Sequence, residues 1–355
     1  MLNRPAGRTP GRRLRRGVLA LTTALSLGLL AACGGSDSSS DTGAANSGKG
    51  NGGSFPVTMK NAWGTTEVKK KPVKVATLSD GDTSIALALG VVPVISPDVE
   101  DGAKLPAYKQ RALDKLGVDK LKTYDDTDGT AYEDIAAEAP DVILGVNTWE
   151  MDKDYDKLTP IAPVVTFTDK KQADTMTWQE RLETAARALG LEAEAEAEAK
   201  KVIAATEKVT ADAAAAHPEF KGRTYTYAVV HPEQISFMSY AEQDPGVFEQ
   251  LGFTKTDKAK NYAPDRNGVS LENIDQLDAD VLLVSYPFGD RGVLSPEELE
   301  KNKLFRSLGA VKNGHFVVVP WENMLASALA YPDALSAPWV VEELTPLLAK
   351  AAAGA

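Results

Sequence analysis

Apolar and polar positions between residues 55 and 355 follow two alternating periods. Two short alternating runs, 57–60 and 65–68, flank Gly64 and predict a small hairpin. Compact apolar runs rich in Val, Ile and Leu then predict strands at 73–79, 91–95, 141–146, 163–167, 224–230, 234–238, 281–285 and 316–319. Wider apolar spacing between them predicts helices at 82–89, 108–116, 131–139, 154–158, 297–308, 321–329 and 337–350. Segments 247–251 and 271–277 continue the alternation. Strand followed by helix, repeated in this way, implies βα units and a mainly parallel sheet. The alternation breaks once. Residues 177–189 read as a helix closed by Gly190, and 191–216 as a second helix of Ala, Glu and Lys stopped by Pro218. The second would extend about 39 Å, the width of a domain.

The two stretches of alternation resemble each other. YEDIAAEAPDVILGV (132–146) aligns without gaps to LENIDQLDADVLLVS (271–285), with Glu133/Glu272, Ile135/Ile274, Asp141/Asp280, Val142/Val281 and Leu144/Leu283 identical. The expected fold is α/β: two Rossmann-like lobes with mainly parallel sheets (55–190 and 219–355), bridged by a long α-helix (191–218), with a ligand cleft between the lobes. Ligands bind beyond the carboxyl ends of strands in open parallel sheets, so two facing lobes enclose a whole small molecule.

Composition sets the N-terminal segment apart. The chain of 355 residues is 43% apolar and carries a net charge of −11, yet residues 1–32 hold six Arg and no acid. The remainder carries all 50 acids and 33 of the 39 bases, a charge of −17. An acidic body argues against nucleic acid as a partner. Residues 17–32 are uncharged and too short for a membrane span, and with the preceding arginines they have the outline of a signal peptide. The run Leu30-Ala31-Ala32-Cys33-Gly34 resembles the bacterial lipobox, which would make Cys33 the lipidated first residue of the mature chain. Residues 34–54 contain seven Gly and six Ser and read as a disordered leash of roughly 25 Å. The expected location is extracytoplasmic, lipid-anchored to the cell membrane. The arginine pairs leave export by the twin-arginine route open.

Chemistry is sparse. Cys33 is the single cysteine, so an intrachain disulfide and a multi-Cys zinc site are excluded. The chain has no GxSxG, GxxxxGK[ST] or HExxH motif, and no GxGxxG after a strand. The three histidines, His217, His231 and His315, are scattered, and only His231, after a strand, could face the cleft. No catalytic or metal-ligating set emerges, and the chain reads as a binder rather than an enzyme.

Six segments in order carry a family resemblance: GTTEVKKKPVKVATL (64–78), ALALGVVPV (86–94), YEDIAAEAPDVIL (132–144), YDKLTPIAPVV (155–165), SLENIDQLDADVLLV (270–284) and PWVVEELTPLL (338–348). The chain resembles substrate-binding lipoproteins of ABC importers, in the group with a helical interlobe backbone, and is most similar to iron–siderophore binders. The resemblance implies a monomer that captures a ferric siderophore, with iron held by the siderophore and no protein cofactor, and delivers it to the importer's membrane subunits. It maps the permease-docking glutamates onto Glu133 and Glu272. The ligand wall is expected from side chains on loops that follow strands: Asn147 and Trp149 in the first half, and Tyr240, Arg266, Tyr286, Phe288, Arg291, Trp321 and Tyr331 in the second. Aromatic faces cover apolar bulk, and Arg pairs with carboxylate, hydroxamate or catecholate oxygens. Two other readings stay open. The same scaffold could carry haem, cobalamin or another chelate, with Tyr240, Tyr286 or His231 as an axial ligand to haem. The third reading is an extracytoplasmic enzyme or adhesion lipoprotein.

Overall fold

Val57–Asn61 (β1) and Gly64–Val68 (β2) pair antiparallel across a tight turn and bury Met59 and Val68 against the first lobe. The computed structural model describes residues 55–98, 105–240, 246–319, 321 and 324–354. The signal-like segment, Cys33 and the Gly/Ser stretch lie outside the described residues.

The first lobe continues with β3 (Val75–Thr77), α1 (Asp80–Ala88), β4 (Ser96–Pro97), α2 (Ala107–Leu116), β5 (Thr123–Tyr124), α3 (Tyr132–Ala137), β6 (Val142–Leu144), α4 (Met151–Leu158), β7 (Val164–Val165), α5 (Gln172–Thr175) and α6 (Trp178–Leu189). Strands β3, β6 and β7 run parallel in that order, and β4 pairs parallel with β5. Backbone bonds from Val94 to Val75 and from Thr77 to Ile95 tie the two groups together. The strand expected at 91–95 does not form: Pro93 interrupts it, Ile95 makes only an isolated bridge to Ala76, and the two-residue β4 follows at Ser96–Pro97. All three β6 residues are fully buried, as a central parallel strand with two covered faces requires.

Helix α7 (Glu192–Ala216) follows the αL turn at Gly190. Its Ala-rich sequence favours helix, and Glu196–Lys200 and Lys208–Asp212 pair one turn apart on its exposed face. Ala195, Ala199 and Val202 join the first lobe's core, while Val209 and Ala213 pack against the second lobe's. One stripe thus serves two cores.

The second lobe comprises β8 (Thr224–Val230), β9 (Ile235–Phe237), α8 (Val247–Gln250), β10 (Thr254–Lys255), β11 (Gly268–Val269), β12 (Val281–Ser285), α9 (Pro296–Lys301), α10 (Gly309–Lys312), β13 (Phe316–Val319), α11 (Leu325–Ala330) and α12 (Ala337–Ala353). Strand β8 pairs parallel with β12 and β10, and β12 with β13. Strands β9 and β11 extend that sheet antiparallel at one edge. The segment 271–277, which continues the alternation, is a 3₁₀ turn kinked at Asn273. The helix expected over 297–308 splits into α9 and a 3₁₀ turn at 305–307, and the one expected from 321 begins only at Leu325, after Met324 adopts φ +63°. Among the described residues no helix is long and apolar enough to cross a membrane.

The repeated windows occupy equivalent places. Strand β6 lies beside β3 and β12 beside β8, each parallel to the first sheet strand of its lobe. Ile135 and Ile274, Val142 and Val281, and Leu144 and Leu283 are all at most 1% exposed. Asp141 accepts from the backbone N–H of Val73 and Lys74, both at 3.0 Å, and these bonds hold its carboxyl below the usual range. Asp280 accepts from the N–H and hydroxyl of Thr224, both at 2.8 Å. In each lobe this aspartate fastens the start of the neighbouring strand.

A second link joins the lobes beside α7. Tyr108 of α2 packs in the second lobe's core, its ring centroid 5.0 Å from that of Trp339 in α12. In the other direction, Ala334 and Ala337 pack with the first lobe's core. Next to this contact Lys109, 1% exposed, forms an ion pair with Asp80 at the start of α1. Its charge also stabilises the ionised form of buried Asp333, whose carboxyl burial otherwise pushes up. Asp333 accepts from the N–H of Leu335 and Ser336 and so shapes the entry to α12.

Candidate ligand-binding site

The loops at the carboxyl ends of β6 and β12 converge on one aromatic group. Residues 145–149 leave β6 and place Trp149, 48% exposed, edge to face against Tyr331 at a centroid distance of 4.8 Å. Tyr331 closes α11, and its N–H donates to the Ser327 carbonyl. The Ser327 hydroxyl donates at 3.3 Å to the carbonyl of Pro287, on the loop leaving β12. Loops at strand ends of both lobes therefore meet at the Trp149–Tyr331 contact.

The second lobe's wall is aromatic. Phe288 is half-buried, with His231 at the end of β8 beside it at a centroid distance of 4.8 Å. Burial holds the His231 imidazole below its usual pKa, which favours the neutral ring. Gly289 adopts φ +60°, and the Trp321 ring lies 3.5 Å from where its Cβ would stand, so a side chain here would meet both backbone strain and the indole. Arg291 is exposed on the same turn, with its Nε donating to the Phe288 carbonyl at 3.3 Å. Phe288, Arg291, Trp321 and His231 thus form one patch.

Tyr240 closes the strand end after β9 in the same lobe. It is 8% exposed, its hydroxyl accepts from Asn267 Nδ2 at 2.6 Å, and burial raises its pKa. Tyr227 of β8, which the sequence reading did not single out, lies near both Tyr240 and Tyr331. Its phenol pKa is raised by burial above all, with the nearby Tyr331 and Tyr240 phenols adding to the rise. Tyr227 sits inside a strand, where an aromatic reads as core, and nothing in the local pattern marks it as a wall residue.

Two expected ligand residues stand elsewhere. Tyr286 is 1% exposed and packs with Val230, Leu282 and Val284 on the opposite face of the sheet. Strand side chains alternate faces, so Tyr286 shares the side of Leu282 and Val284, away from Leu283. Its placement among the ligand residues, and as an axial ligand to haem, does not fit that burial. Arg266 is exposed on the loop before β11, next to Asn267, which hydrogen-bonds Tyr240.

In the first lobe Asn147 is half-buried and lies over Gly81, where a Cβ would stand 1.7 Å from Asn147 Nδ2. Its Oδ1 is buried without a hydrogen-bond partner among the described residues. Beneath it Asp82 is fully buried, and burial pushes its carboxyl up to about 7 against the opposing bonds from Ser79, Val146 and Asn147 and the charge of Arg181. Asp82 and Lys109 escape a sequence reading because acids and lysines are read as surface. Glu133 and Glu272 are both exposed in the first turn of their segments. Among the described residues no group of three or more His, Cys, Asp or Glu side chains is gathered to hold a metal ion.

Known proteins share this architecture. YhfQ of Bacillus subtilis (strain 168), named as an ABC transporter substrate-binding lipoprotein, is 26% identical over 312 residues, covering 85% of this chain and 90% of its own. The crystal structure of PiaA from Streptococcus pneumoniae TIGR4 in complex with ferrichrome aligns with a TM-score of 0.65 and 28% identity, over 84% of this chain and 99% of that one. SirA of Staphylococcus aureus complexed with staphyloferrin B aligns with a TM-score of 0.61 over 82% of this chain and 98% of that one; at 23% identity it shows the fold alone. The family profile described as periplasmic binding protein matches residues 75–322, and this chain belongs to that family.

Proposed function

We propose that this protein captures a ferric siderophore outside the cytoplasm and delivers it to an ABC importer for iron uptake. The observation that carries this reading is the half-exposed aromatic contact where Trp149 of one lobe meets Tyr331 of the other, set in a fold shared with a ferrichrome-bound protein over most of both chains. Aromatic faces suit the apolar shell of a chelate, and Arg291 offers a fixed charge to an acidic group on its rim. The iron would be held by the siderophore, so the protein needs to supply no metal ligands. Binding to the importer's membrane subunits would run through the exposed Glu133 and Glu272, and Cys33 would carry the lipid that keeps the protein at the membrane.

The test is titration of the full chain with ferrichrome and a panel of other ferric siderophores, followed by tryptophan fluorescence and native mass spectrometry. Saturable quenching with a one-to-one complex is the expected result. Binding of haem alone, with its own absorption band, would replace the siderophore reading, and turnover of a chelate would replace the binder reading.

A further inference from the structure

The loop bearing Asn147 and Trp149 is fastened to a carboxylate 64 residues earlier in the chain. Asp82 Oδ1 accepts from the N–H of Val146 at 2.9 Å and from that of Asn147 at 3.1 Å. Its Oδ2 accepts from the Ser79 hydroxyl at 2.6 Å, and the Ser79 Oγ in turn accepts from the Asp82 N–H at 3.0 Å to cap α1. Val146 and Asp82 are both completely buried, so water cannot replace these bonds. Gly81 leaves the space in which the Asn147 amide lies. The two N–H donors come from one end of the 145–149 loop, and Trp149 at the other end meets Tyr331 of the opposite half.

We propose that Asp82 is a positioning residue for ligand capture, fixing the loop after β6 so that Asn147 and Trp149 are presented to the crevice. This rests on the capture reading above. Asp82 does not itself touch the ligand. It acts through the backbone it holds, and its neighbours set how firmly. Arg181 from α6 and Tyr124 from β5 are the charged or titratable groups that act on it, and the Ser79 hydroxyl that caps α1 is its hydrogen-bonding neighbour. The closed loop keeps Asp82 dry and protonated more readily than water would. Opening hydrates the carboxyl and favours its ionisation, so the loop opens more often as pH rises toward neutrality.

Amide hydrogen exchange of the peptide spanning residues 145–149, in the ligand-free full chain and corrected for intrinsic rates, tests this directly. In the unaltered protein, protection should fall as pH rises from about 4 to about 7 and level off above that. Asp82→Asn keeps the shape and the accepting oxygen but cannot titrate, so its protection should stay flat with pH. Asp82→Ala should lose about tenfold in protection throughout. Ferrichrome affinity should fall about tenfold in Asp82→Ala and recover in Asp82→Asn. Equal protection in Asp82→Ala and the unaltered protein would overturn the proposal, and so would an Asp82→Asn variant that repeats the original pH profile. Should Asp82→Ala fail to fold, the Asp82→Asn profile still decides. If no ferric siderophore binds the unaltered protein, the capture reading falls and the ligand half of this proposal with it, whereas the exchange pattern alone decides whether Asp82 anchors the loop.

Discussion

Trp149 and Tyr331, from opposite halves of the chain, meet edge to face with ring centroids 4.8 Å apart while both stay more than a third exposed. Such a pair gains about 0.5–1.5 kcal/mol beyond its buried area, and its outer faces remain available to a ligand. Trp149→Ala and Tyr331→Ala should each weaken ferric siderophore binding by up to about tenfold, and the double variant should lose less than the product. Fluorescence titration and calorimetry check this, and full affinity in both single variants would remove the pair from the site.

Gly81→Ala separates local geometry from stability. The new methyl would collide with the Asn147 amide, which is the free end of a side chain and can swing aside. The expected outcome is weaker ligand binding with little change in melting temperature. A large loss of stability would mean that the Asn147 position is fixed for the fold rather than for the ligand.

Lys109→Met removes the cation paired with Asp80 and acting on buried Asp333. Leaving a buried carboxylate unpaired is costly, and because Asp80 is partly exposed the loss should be about 2 kcal/mol. Adding Asp333→Asn should recover part of it. Urea unfolding of the single and double variants measures both changes.

Asp82 gives the stability a pH dependence whose sign follows from its raised pKa. Below 3.8 the carboxyl is protonated in both folded and unfolded chains. From 3.8 to about 7 only the folded protein keeps the proton, so stability falls as pH rises through this window and levels off above it. That span is worth roughly 4 kcal/mol at most. Asp82→Asn should flatten the decline and be the more stable protein near pH 8, as read from denaturation midpoints across pH. Parallel pH curves for the two proteins would count against the assignment.

Glu133→Ala with Glu272→Ala should abolish siderophore-dependent iron uptake in cells while ligand affinity stays unchanged. Both side chains are exposed, so the folded state has little to lose. Uptake that survives the double change would place the docking surface elsewhere.

The repeat was legible in the sequence because Ile135, Val142 and Leu144, like Ile274, Val281 and Leu283, face dry core, where burial dictates residue type. The long helix was legible because its composition admits little else. Tyr286 was misplaced because proximity to a strand end says nothing of which face a side chain takes, and one step along the strand decides that. The 3₁₀ turn at 271–277 lay within a helix-like pattern, since both helices place apolar residues three or four apart. Lys109 and Asp82 were invisible for another reason. A lone buried charge is unfavourable, so its burial depends on partners that only folding brings near: Asp80 and Asp333 for Lys109, and the loop N–H groups for Asp82.

The Tyr108–Trp339 contact gives the molecule two separate cross-ties where a single rod would leave a pivot. A frame tied twice resists wide swinging, so empty and occupied forms of a receptor built this way would show an importer nearly the same outer contour. A transporter would then have to sense the cargo itself, or small shifts at the rim. Unladen copies would compete for the same berth, making the ratio of filled to vacant receptor, rather than receptor number alone, the quantity that sets flux.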